Sequence, residues 1–110
     1  MPVTERNVTD ALIYLADDPH PLAMARYRLT IAENKSRETF ARLFLASGEK
    51  TNDAKKAGVE SDPTYSEAKA AEAEAILEME RHRARVKAAK MLIEVFRTEN
   101  ANARAEERIR

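Results

Sequence analysis

No glycine or proline interrupts the chain after Pro63. These are the two residues that most readily break a helix, one through its freedom and the other through its missing donor. The stretch over about 63–108 therefore reads as one long helix. Along it an apolar or small residue returns at alternating steps of four and three: Ala75, Met79, His82, Val86, Ala89, Ile93, Phe96, Asn100 and Ala103. That spacing lines the side chains up on one seam of a helix. A single helix cannot bury its own seam, so a partner must come from elsewhere in the chain or from a second copy.

The chain offers such a partner. Pro21 opens a second periodic segment that runs to about Ser47, with Gly48 just beyond it. A proline at the start and a glycine past the end is the usual asymmetry of a helix. Its stripe is Leu22, Ala25, Leu29, Ala32, Ser36, Phe40 and Leu43, with Phe44 and Ala46 beside it. Folded back, this helix places residues near Ala46 opposite Tyr65 and Leu22 near Ala89. Ala68, Ala71 and Ala75 then face Phe40, Leu43 and Phe44, large side chains against small ones. Residues 48–62 read as a connection, with Thr51 capping a single turn through Ala57 that Gly58 stops. Asp62 then caps the long helix, with Pro63 at its first position. Ahead of all this, Thr9 caps a short helix over about 9–17, which Pro19 and Pro21 end. Its Leu12, Ile13 and Leu15 are expected against Met91, Leu92, Ile93, Val95 and Phe96, where the last helix is apolar over a wide arc.

The expected fold is thus all-α, a long antiparallel, coiled-coil-like helical hairpin with a short N-terminal helix, one domain over 1–110. Twenty of the 110 residues are alanine and 5% are aromatic, so the core is thin in large side chains. A slender hairpin of this size buries little by itself. A homodimer is expected, with Leu12, Ile13, Leu15, Leu92, Val95 and Phe96 as its candidate interface.

Net charge is zero, but the signs are segregated. Residues 1–20 carry one base and four acids, 21–48 five and two, 49–80 four and nine, and 81–110 nine and four. The long helix is acidic first and basic later. That order complements the helix macrodipole. It also suits antiparallel pairing of two copies, acidic half against basic half. Arg83, Lys87, Lys90, Arg97 and Arg104 share one helical stripe with Arg108, and a basic stripe can track a phosphate backbone. No aromatic residue interleaves with it for base stacking.

Chemistry finds little purchase. Without cysteine there is no thiolate and no disulfide. The two glycines form no phosphate-cradling loop. No serine has a visible base, and Glu78 with His82 at i, i+4 supplies two ligands where a metal site needs more. His82 reads as a seam histidine that sets register, His20 as a loop residue between prolines, and Ser36 as a small packing residue. The expectation is a non-enzyme with no catalytic residue, metal or cofactor. The longest apolar run, Ala11 to Ala16, is too short to span a membrane, and no signal peptide is visible, so a cytoplasmic location is expected.

Two stretches carry a resemblance. Asp62, Pro63 and Tyr65 open the long helix in "DPTYSEA", and Phe96, Arg97, Thr98, Asn100 and Arg104 close it in "VKAAKMLIEVFRTENANARAEER". Together with "ARLFLASGEKTNDAKKAG" they resemble a group of small helical proteins encoded by temperate phages and prophages near recombination and replication genes. Phe96 stands where that group carries tryptophan. The resemblance implies an accessory, non-catalytic role in phage DNA metabolism, with a DNA-processing protein of phage or host as partner. Direct nonspecific nucleic-acid binding through the basic stripe is the alternative. Inhibition of a host defence nuclease through the acidic segment 60–80 is a third reading.

Overall fold

The computed structural model describes residues 2–109, and among them every regular element is a helix. Four helices follow in order: α1 (Glu5–Ala16), α2 (Pro21–Ala46), α3 (Asn52–Ser61) and α4 (Pro63–Ile109). Contacts within the chain group into two units. Unit 1 joins the described residues up to Ala23 with those from Arg81 onward, and unit 2 is Met24–Glu80.

α1 starts earlier than the sequence suggests. Thr4, not Thr9, is the cap: its hydroxyl accepts from the Asn7 amide at 3.1 Å, while the Asn7 side chain accepts from the Thr4 amide at 3.2 Å. This is a reciprocal capping box. Asparagine fills the position where glutamate or glutamine gives the usual signature, which is why the start was not legible. Thr9 lies mid-helix and donates to the Glu5 carbonyl at 3.0 Å.

The packed face of α1 also differs from expectation. Ala11 and Tyr14 are buried with Ala89 of α4, and Leu15, Val86, Leu92 and Ile93 pack around them. Leu12 and Ile13 instead point outward, 51% and 65% exposed. Ala11, Tyr14 and Leu15 are three and four residues apart and share one face; Ile13 cannot join them without rotating the helix. Nearer its beginning, the Val3 amide donates to Glu99 at 3.1 Å.

In unit 2, α2 meets the first turns of α4. The Phe40 and Tyr65 rings sit edge to face at 5.7 Å, and the Ser36 hydroxyl donates to the Ala68 carbonyl at 3.3 Å. Such a ring pair adds about 0.5–1.5 kcal/mol beyond burial. The expected register set Tyr65 opposite Ala46, with Phe40, Leu43 and Phe44 facing Ala68, Ala71 and Ala75. The observed contacts fall nearly two turns earlier on α4, and Ala71 is exposed. The two rings pair with each other rather than with alanine, and Ser36 is small enough to lie against the α4 backbone.

The connection 48–62 is not a single turn. Thr51 caps it as expected, its hydroxyl accepting from the Ala54 amide at 3.1 Å, but α3 runs on through Gly58 to Ser61. Its reward is Val59, 2% exposed. Gly58 has no left-handed backbone and nothing within 4 Å of an added Cβ, and Gly48 likewise is no left-handed cap for α2. Asp62 serves two helices. Its amide closes α3 on the Val59 carbonyl at 3.0 Å, and its carboxylate accepts from the Thr64 amide at 2.8 Å to open α4.

Candidate interaction surface

The long seam of α4 is followed as far as Phe96. Ala75, Met79, His82, Val86, Ala89, Ile93 and Phe96 are half-buried or buried, whereas Asn100 and Ala103 are exposed. The seam histidine is held by its neighbour across the helices: Tyr14 Oη lies 3.0 Å from His82 Nδ1 and 3.4 Å from the His82 carbonyl. Tyr14 gathers more than this. The His20 ring stands edge-on to it at 5.0 Å, and the Arg85 guanidinium lies 4.1 Å from the ring centroid. Both histidines of the chain therefore meet one buried tyrosine. His20 is no idle loop residue: its Nδ1 accepts from the Leu22 amide at 3.0 Å, at the start of α2. The sequence signal for this cluster was Tyr14 itself, a polar-tipped aromatic that asks for a partner when buried.

A second polar group sits in unit 2. Ser36, Phe40, Tyr65, Lys69 and Glu72 line an open cleft of about 350 Å³. Lys69 Nζ donates to Glu72 at 3.1 Å. The Ser36 hydroxyl has one proton for two acceptors, the Ala68 carbonyl and the Glu72 carboxylate; the charged acceptor is the stronger. Hydrogen bonding from Ser36 and then from Lys69 holds the Glu72 carboxyl below the usual range. In turn Glu72, by hydrogen bond and by charge, raises Lys69. These are the groups of a satisfied ion pair. Among the described residues no three His, Asp or Glu side chains converge as metal ligands, and no helix is long and apolar enough to cross a membrane.

The candidate nucleic-acid residues Arg83, Lys87, Lys90, Arg97 and Arg104 are all exposed on α4. Arg97 is bound to Glu94 at 3.1 Å within its own helix, an exposed pair of small energetic weight. Of the candidate interface residues, Leu15, Leu92 and Phe96 are half-buried, and Leu92 packs on the Tyr14 cluster. Leu12, Ile13 and Val95 are exposed, the last by 44%, and Met91 joins them at 59%. Unit 1 thus divides its apolar residues between a small internal core and an outward set.

Compared with known protein-family models, curated proteins and solved structures, this chain gives no match.

Proposed function

We propose that the protein is a non-catalytic helical interaction module that works through the outward apolar side chains of unit 1. The observation that supports this most is the exposure of Leu12 on α1 and Met91 on α4, 51% and 59%. Large apolar side chains left in water on a chain with so small a core are spare binding energy; burying one fully against a partner is worth about 1.5–3 kcal/mol. Helical docking with apolar anchors and charged flanks is a common use of such surfaces. The pairing of α2 with α4 as an antiparallel hairpin, and its doubling into a homodimer, belong to the same reading.

The resemblance to phage and prophage proteins directs the choice of partner. The reading is an accessory protein in DNA recombination or replication, presenting its helices to a DNA-processing protein of phage or host. A pull-down with the intact protein tests this. A DNA-processing partner should stay bound after nuclease treatment; release of every such protein by nuclease would contradict it.

The exposed bases of α4 favour one alternative, sequence-nonspecific nucleic-acid binding through Arg83, Lys87, Lys90, Arg97 and Arg104. Binding of that kind weakens steeply with salt. Charge reversal at Lys87, Lys90 and Arg97 separates the two readings, because it abolishes phosphate binding and leaves apolar docking in place.

A further inference from the structure

Two grooves run along one flank of the α1–α4 contact in unit 1. One, of about 260 Å³, is lined by Asp10, Ala11, Tyr14, Arg85, Ala88 and Leu92. The other, of about 450 Å³, is lined by Asp10, Ile13, Tyr14, Asp17 and Arg85. They share Asp10, Tyr14 and Arg85, so they form one continuous surface. Ile13 stands on its α1 rim, 65% exposed, and Val95 lies three residues past Leu92 on the α4 side, 44% exposed. The floor is alanine, at Ala11 and Ala88, which leaves room for an incoming side chain.

The charges on this surface identify the occupant. The α1 rim is acidic, through Asp10 and Asp17, and the α4 rim carries Arg85. A purely acidic or purely basic partner would meet one rim of its own sign. A surface with both signs, each on a different helix, is matched by a rotated copy of itself.

We propose that this flank seats a second copy of the chain about a two-fold axis. Asp10 and Asp17 of each protomer then face Arg85 of the other, and Ile13 covers its partner's Ala88 and Val95. This rests on the reading of the outward apolar residues as interaction surface, and it assigns one part of them to self-association. Leu12 and Met91 lie outside the contact.

Sedimentation equilibrium of the purified chain over a dilution series tests it. The wild type should reach twice the 12.4 kDa chain mass. Ile13→Glu and Val95→Glu, both at exposed sites, should each return the chain mass with helical circular dichroism unchanged. Leu45→Glu, at a site 83% exposed in unit 2, should keep the double mass. Asp10→Lys with Asp17→Lys should weaken association at least about tenfold. Wild-type protein that stays at the chain mass would overturn the proposal, and so would a double mass that survives both glutamate substitutions. Retention of a different protein through Ile13 by a monomeric wild type would overturn it too. The measurement uses pure protein, so it can fail while nuclease-resistant capture of a DNA-processing partner succeeds, or the reverse.

Discussion

At the scale of single residues, Tyr14 does more than any other side chain. It is 8% exposed, bonds to His82, supports Arg85 and meets His20. Tyr14→Phe keeps the ring and removes the hydroxyl, leaving His82 Nδ1 without that partner. Unit 1 should lose about 1 kcal/mol, read by chemical denaturation followed at 222 nm. The Ser36–Glu72–Lys69 group should appear in the pH dependence. Glu72 has a lowered folded pKa. Its stabilisation is therefore full above the usual carboxylate range, about 4.3, and is lost as pH falls through the lower folded value. Lys69 is raised, so its part is present below about 10.4 and is lost as pH rises through the higher folded value. Ser36→Ala should move the acid limb of the stability curve upward in pH; an unmoved limb would mean that the hydroxyl bonds the Ala68 carbonyl alone. None of this detail was legible in advance. The seam position of His82 was visible from spacing, but its partner lies 68 residues away and periodicity does not name partners.

At the scale of elements, the sequence was a good guide to where glycine and proline stand and a poor one to what they do. Pro21 and Pro63 open α2 and α4 as expected, and Asp62 caps α4. Gly58 misled, because a glycine inside a helix is tolerated when tertiary burial nearby, here Val59, outweighs a loss of about 1 kcal/mol. Since nothing lies within 4 Å of its Cβ position, Gly58→Ala should stabilise unit 2 by about 0.5–1 kcal/mol, measurable as a higher melting temperature. Thr4→Ala should destabilise α1 by about 1 kcal/mol, and the fraying should show as faster amide exchange at Asn7 and Val8. The face of α1 is ambiguous in the sequence for a plain reason. Five apolar residues in a row, Ala11 to Leu15, cover every side of a helix. Of the expected Leu12, Ile13 and Leu15, Leu15 packs on the cluster, whereas the contact with Ala89 goes to Ala11 and Tyr14.

At the scale of the whole molecule, the all-helical class followed from composition and from the absence of breakers after Pro63, and among the described residues it holds throughout. The sequence offers surfaces rather than a function. Helical spacing exposes a stripe of bases on α4 and apolar side chains on α1 and α4, and spacing alone does not rank them. The exposure of Leu12, Ile13, Met91 and Val95 is what favours the apolar set. Solvated lysine and arginine heads are content in water, while Leu12, Ile13, Met91 and Val95 are not. The central claim is that apolar contact, not the basic stripe, carries the activity. Its most direct test is quantitative binding of the captured DNA-processing partner to two variants. Leu12→Asp with Met91→Asp should lower affinity at least about a hundredfold, the loss of two apolar anchors. Lys87→Glu with Lys90→Glu and Arg97→Glu should change it by less than about tenfold. Full affinity in the aspartate variant, with binding abolished by the charge reversal, would contradict the account.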